Sequence, residues 1–341
     1  MMKMNLLALT SLSFLLAACA MTPGPQKTAQ NDMGYDATLT AFSYPFVVQN
    51  YTFGSQGQKL QMAYMDITPT AAGKLSGKTV VLFHGKNFSG FYFEKMARDL
   101  AAKGARVIIP DQVGFGKSSK PENYQYSFHG LARNTQNLLQ SLNVTSFTLV
   151  GHSMGGMLAT RYALMFPEQV KKLILANPIG LEDYKTLTSY KTVDENYQSE
   201  LKNDEDKIRE YQKQAYYDGV WKPEYEPMLK AAIGWSVGPD KALIAKTAAL
   251  TSDMVFTQPV VYEFKNISVP TSLIMGQRDR TAIGKAWAKP ENQKKMGNYP
   301  VLGKETAKKI PKAKLFEMKG LGHMPFVEDY DGFMKIFMAE I

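Results

Sequence analysis

The chain has 341 residues, with 40 Lys and Arg against 31 Asp and Glu, a formal net charge of +9. Its 45% apolar and 21% charged residues are ordinary globular composition, which excludes wholesale disorder, collagen-like repeats and a polytopic membrane protein. A single Cys excludes a disulfide framework and a Cys-based zinc site, four His leave little for a metal cluster, and Lys residues spread along the chain leave no nucleic-acid footprint.

Lys3 precedes an apolar run from Leu6 to Ala18. The run is shorter than the ~20 residues that span a bilayer, and it suits the apolar region of a secretory signal over residues 1–18. Leu16-Ala17-Ala18-Cys19 resembles the lipobox of bacterial lipoproteins, and the chain's one Cys stands where that box needs it. The resemblance implies cleavage before Cys19, acylation of Cys19 and attachment to a membrane by more than one acyl chain. Ala20 rather than Asp follows Cys19, which implies an outer-membrane lipoprotein of a Gram-negative cell envelope, facing the periplasm or the cell surface. Residues 19–45 are rich in Thr, Pro, Gly, Gln and Asn and read as a flexible tether.

Strands are predicted over Phe46–Phe53 and Lys59–Ile67, which alternate as antiparallel edge strands do. Further strands are predicted over Thr79–Phe83, Ala105–Pro110, Phe147–Val150, Lys172–Ala176, Thr271–Met275 and Ala313–Met318. The central runs VVLF, RVIIP, FTLV and LILA are continuously apolar, the mark of parallel strands covered on both faces. Helices are predicted at Phe93–Lys103, Leu131–Leu142, Gly156–Phe166 and Lys304–Ile310, with a last one after Phe326. This alternation predicts an α/β fold with a mostly parallel sheet. Residues 181–265 break the rhythm: they are charged and aromatic, lack a parallel-strand run, and read as helices inserted between two strands.

Gly151-His152-Ser153-Met154-Gly155 follows the strand FTLV and precedes a helix. This is the G-x-S-x-G nucleophile elbow in its strand–turn–helix context, which makes Ser153 the candidate nucleophile. A serine hydroxyl needs a base. His152 adjoins Ser153 on the tight turn, and its ring should point away from the hydroxyl. His84 and His129 read as structural and solvated. His323, in the loop Gly320-Leu321-Gly322-His323-Met324-Pro325 after the last strand, is the candidate base. Asp279, in Gly276-Gln277-Arg278-Asp279 after TSLIM, is the candidate acid that fixes its tautomer. Glu182 and Asp183 compete for that role, and Asn177, nearer the preceding strand, is no carboxylate. Two backbone N–H groups are needed for a developing oxyanion: that of Met154, at a helix N-terminus, and that of Lys86, in His84-Gly85-Lys86-Asn87. Because the backbone donates, the Lys86 side chain reads as a plain surface lysine. Gly116-Lys117-Ser118 hints at a phosphate loop, but Asp111 stands where that motif needs Gly.

These motifs, with Asp111-Gln112-Val113-Gly114-Phe115-Gly116-Lys117-Ser118, give the chain from Phe46 to Ile341 a resemblance to the capped α/β-hydrolases of the esterase and C–C hydrolase branch. The resemblance implies an eight-stranded, mostly parallel sheet flanked by helices, its core in residues 46–180 and 266–341, with a helical cap over residues 181–265 after the sixth strand. The stretch Lys285–Gly303 reads as a longer loop than that pattern expects. The expectation is a lipid-anchored serine hydrolase for small or medium esters, with no cofactor, no metal and no nucleic-acid partner. Cleavage of C–C bonds or lactones by the same residues is an alternative, and a surface binding protein on a hydrolase scaffold is a third.

Overall fold

The computed structural model describes residues 34–341, and residues 1–18 and Cys19 lie outside them. Eight strands form one sheet: β1 (Val48–Ser55), β2 (Gln58–Ile67), β3 (Thr79–Phe83), β4 (Arg106–Pro110), β5 (Phe147–His152), β6 (Val170–Ala176), β7 (Thr271–Gly276) and β8 (Ala313–Met318). Their order is β1-β2-β4-β3-β5-β6-β7-β8. β1 pairs antiparallel with β2, and β2 antiparallel with β4. Every other pairing is parallel.

Three helices, α1 (Glu94–Ala102), α2 (Phe128–Ser141) and α3 (Met154–Met165), follow β3, β4 and β5 in turn. Four more, α4 (Val193–Glu200), α5 (Glu205–Tyr217), α6 (Glu226–Val237) and α7 (Lys241–Thr257), lie between β6 and β7. Next come α8 (Pro290–Gln293) and α9 (Tyr299–Lys309) before β8, then α10 (Pro325–Glu328) and α11 (Tyr330–Glu340) after it.

Successive strand residues point to opposite faces, so a continuous apolar run feeds two cores. Val81 and Phe83 of β3, Leu149 of β5 and Leu173 and Leu175 of β6 pack with Leu131 and Leu139 of α2 and Leu158 and Tyr162 of α3. Their neighbours Val80, Leu82, Val150, Ile174 and Ala176 pack with Met96 and Leu100 of α1 and Phe333 and Phe337 of α11. Each such burial stabilises the fold by roughly 1.5–3 kcal/mol before entropy is counted. The two cores clamp the sheet and fix the carboxyl ends of β3, β5, β6, β7 and β8 side by side.

The structure departs from the sequence reading in four places. β2 is not an edge strand: it lies between β1 and β4, and its run Met62–Met65 is buried. α2 begins at Phe128, three residues early, because the Ser127 hydroxyl caps it by accepting the Gly130 N–H at 3.0 Å. The stretch Lys285–Gly303 is not one long loop, since it holds a short turn of helix at Lys285–Trp287, α8 and the start of α9. Pro290 and Pro300, which suggest loop in a sequence, sit in first helical turns, where a missing N–H costs nothing.

The fourth departure concerns the tether reading of residues 19–45. Its described part, residues 34–45, is packed onto the protein. Leu39 is fully buried, and Phe42 stacks edge-on against Tyr35 and Phe91. Polar bonds fasten the segment at both ends. Tyr35 N–H donates to the Gly234 carbonyl at 2.9 Å and Trp235 Nε1–H to the Asp36 carbonyl at 3.0 Å, while the Tyr44 hydroxyl donates to Asp111 at 2.6 Å. Spaced aromatics within a polar stretch supply the apolar area that composition alone conceals.

Candidate active site

Ser153 sits between β5 and α3 with φ 57° and ψ −124°, a left-handed backbone that a non-glycine residue holds only under constraint. The constraint is the close approach around it. A Cβ on Gly151 would fall 2.3 Å from the Gly155 carbonyl oxygen, and one on Gly155 would fall 2.2 Å from that of Phe83. The turn lifts the Ser153 hydroxyl above the carboxyl end of the sheet.

The loops after β7 and β8 meet there because they are bonded to each other. Gln277 N–H donates to the Met318 carbonyl at 3.0 Å, and Arg278 N–H to that of Leu321 at 2.8 Å. His323 Nε2 then lies 2.9 Å from Ser153 Oγ, and His323 Nδ1 lies 2.7 Å from Asp279 Oδ2. A carboxylate only accepts, so Nδ1 carries the proton and Nε2 is left to accept from the Ser153 hydroxyl. His323 and Asp279 are fully buried, and Ser153 is 6% exposed.

Asp279 accepts three donors. Besides His323, Asn177 Nδ2–H reaches Oδ2 at 2.8 Å and the Thr281 N–H reaches Oδ1 at 2.8 Å. The competing acids are occupied elsewhere. Glu182 accepts the Gly297 N–H at 2.8 Å, and burial raises its pKa. Asp183 accepts from Lys185 N–H and the Tyr262 hydroxyl.

His152 and His84 are held in place as neutral groups. His152 Nε2 lies 2.9 Å from the His323 carbonyl oxygen, so Nε2 carries the proton and Nδ1 accepts the Tyr92 hydroxyl at 2.9 Å. Burial, reinforced by His323, drives the His152 pKa well below its usual value. His84 bridges the Gly85 carbonyl and the Gln112 N–H, and burial lowers its pKa too. His129 is exposed in the first turn of α2.

Met154 is the first residue of α3, after Ser153, and Lys86 follows Gly85 on the loop after β3, where a Cβ on Gly85 would fall 3.0 Å from Ser153 Cβ. Neither backbone N–H donates a hydrogen bond to another group among the described residues. The Lys86 side chain differs from the sequence reading. It is only 12% exposed and pairs at 3.7 Å with Glu200, at the end of α4. Asn87 beside it donates to the Tyr216 hydroxyl at 2.9 Å. The helices between β6 and β7 therefore touch the loop that carries Lys86. Among the described residues no group of three or more His, Cys, Asp and Glu side chains is placed to hold a metal ion.

Sequence reasoning missed three residues here. Asn177 reads in the sequence only as no carboxylate, yet it binds the acid. Tyr92 and Tyr216 carry no motif. Only Asn177 had a readable signal, its place just past β6.

A family model described as the alpha/beta hydrolase fold matches residues 78–330. The solved structure of a probable hydrolytic enzyme from Pseudomonas aeruginosa is 46% identical, with a TM-score of 0.88 over 91% of this chain and 98% of that one. Lipase 3 of a Moraxella species is 29% identical over 96% of this chain and 93% of its own. Lipase 1 of Psychrobacter immobilis is 30% identical over 76% of this chain and 75% of its own.

Proposed function

The chain belongs to the α/β-hydrolase family and is a hydrolytic enzyme, and on that premise we propose that it is a lipid-anchored serine hydrolase cleaving small or medium esters through an acyl-enzyme. The observation that carries this reading is the run of contacts from Asp279 through His323 to Ser153, at 2.7 and 2.9 Å.

Ser153 Oγ attacks the ester carbonyl carbon while His323 Nε2 takes its proton. Asp279 holds the imidazole in that tautomer and stabilises the imidazolium. The Met154 and Lys86 N–H groups, free of other acceptors, receive the oxyanion; such a donor contributes on the order of 10²–10³ in kcat. His323 returns the proton to the leaving alcohol. A water molecule, activated by the same imidazole, then attacks the acyl-enzyme and releases the acid and free Ser153.

The preference for short acyl groups rests on enclosure. Ser153 is 6% exposed, and Lys86 and Asn87 beside it are met by Glu200 and Tyr216 from the inserted helices. The insertion over residues 181–265 acts as a cap. Anchoring rests on the Leu16-Ala17-Ala18-Cys19 pattern, which would place the enzyme in a Gram-negative cell envelope, at the outer membrane.

The test is kcat/KM across p-nitrophenyl esters from acetate to palmitate, beside a vinylogous diketone acid as a C–C substrate. A maximum at short or medium chains is expected. A steady rise to palmitate would make the enzyme a lipase with an opening cap. Efficient C–C cleavage with negligible ester turnover would remove the esterase reading.

A further inference from the structure

Tyr216, in the last turn of α5, touches His323 twice. Its carbonyl oxygen accepts the His323 backbone N–H at 3.3 Å. Its ring lies over the imidazole, with centroids 4.6 Å apart and 26° between the planes. Gly322 permits this approach, since a Cβ there would fall 2.1 Å from the Tyr216 carbonyl oxygen. The hydroxyl of Tyr216 reaches across the site and accepts from Asn87, the residue after Lys86. Tyr216 is 3% exposed, and burial holds its phenol neutral, well above its usual pKa.

A base that serves Ser153 must keep its ring plane as well as its tautomer. The bond to Asp279 holds one ring atom and leaves rotation about that bond. A stacked aromatic face opposes that rotation. The backbone bond fixes where the ring begins. On the far side, the Lys86 N–H serves an oxyanion only if its loop stays in place, and Asn87 is that loop's next residue.

We propose that Tyr216 is a positioning residue of the hydrolytic centre: its ring holds the His323 imidazole in line with Ser153, and its hydroxyl holds Asn87 and the neighbouring Lys86 N–H. This deepens the serine-hydrolase reading and rests on it. It makes the inserted helices part of the reaction geometry as well as a cover.

The test compares Tyr216→Leu, Tyr216→Phe, Asn87→Ala and the double variant Tyr216→Phe/Asn87→Ala with the wild type. Two readouts are used: steady-state hydrolysis of a short p-nitrophenyl ester, and the rate of Ser153 labelling by a fluorophosphonate. Tyr216→Leu is expected to lower both kcat and the labelling rate on the order of 10²-fold with KM within about threefold, the scale of a small misplacement of a reacting group. Tyr216→Phe keeps the ring and is expected to lose about three- to tenfold in kcat, as is Asn87→Ala. The double variant should lose no more than the worse single one, because all three remove the same bond. A raised KM with kcat and labelling unchanged in Tyr216→Leu would make Tyr216 a wall of the substrate cavity and overturn the proposal. Multiplying losses in the double variant would overturn the link through Asn87. Should thermal melting show that Tyr216→Leu does not fold, the Phe and Ala cycle decides the link through Asn87, and Tyr216→Met, read by the same two assays, decides the role of the ring. A wild type that neither turns over esters nor takes the label would sink the hydrolase reading itself, whereas an active wild type with unaffected variants sinks only the role of Tyr216.

Discussion

Asn177 Nδ2–H donates at 2.8 Å to Asp279 Oδ2, the same oxygen that faces His323 Nδ1 at 2.7 Å. Asn177 Oδ1 accepts the N–H of Gly276, the last residue of β7, at 2.7 Å. One side chain thus joins the end of β6 to the end of β7 and aims the carboxylate. Asn177→Ala is expected to lower kcat on the order of tenfold by loosening that aim. It should also cost about 1–3 kcal/mol of stability, since the buried Gly276 N–H loses its acceptor. Asp279→Asn should be far worse, on the order of 10⁴ in kcat, because the tautomer is lost. Ester kinetics with urea unfolding check both variants. Wild-type kcat in Asn177→Ala would show that Asp279 needs no such aim.

Lys120 gives a pH dependence with a fixed sign. Its Nζ is buried and donates to the carbonyls of Gly116 at 2.6 Å and Ser118 at 2.9 Å. Burial lowers its pKa from 10.5 to about 7, against the attraction of Asp111, Asp36 and Asp240. The folded value is below the unfolded one, so across that window the unfolded chain holds the extra proton. Stability therefore rises with pH from about 7 towards 10.5, and below about 7 both states hold the proton and this slope vanishes. Urea unfolding of the wild type and Lys120→Met should show curves that diverge above neutral pH, the wild type gaining relative to the variant. Parallel curves would contradict the assignment.

Ser153, Asp279 and His323 were legible because each lies in a glycine-bearing loop just after a predicted strand, and the strand before Ser153 is continuously apolar. The three strands are read from their short apolar and β-branched segments, and a loop residue just past a parallel strand falls at the sheet's carboxyl edge. The glycines at 151 and 155 mark the elbow for a reason that local sterics supply. Tyr216 was not legible and Asn177 only by its place just past β6, because what they do depends on contacts about 107 and 102 residues away along the chain, with His323 and Asp279. No period or spacing encodes such pairs. Residues 34–45 failed differently. Their Gly, Thr and Pro content reads as tether, and only the fold reveals that Leu39, Phe42 and Tyr44 find apolar and acidic partners.

The proposed anchor is tested through Cys19. The wild type should partition with membranes and carry acyl mass on a mature N-terminus beginning at Cys19. Cys19→Ser should leave the precursor unprocessed or release the protein from the membrane fraction. A wild type recovered soluble with no acyl mass would remove the anchor and the envelope localisation together.

Mass spectrometry after fluorophosphonate treatment tests the proposed chemistry most directly. The wild type is expected to gain one phosphonyl adduct on the peptide that contains Ser153. Ser153→Ala, folded by its melting curve, should gain none and hydrolyse no ester. His323→Ala should label more slowly by several orders of magnitude, since the hydroxyl then lacks its base. An adduct of equal yield on Ser153→Ala, or ester turnover that survives that substitution, would contradict the assignment of Ser153 as the nucleophile.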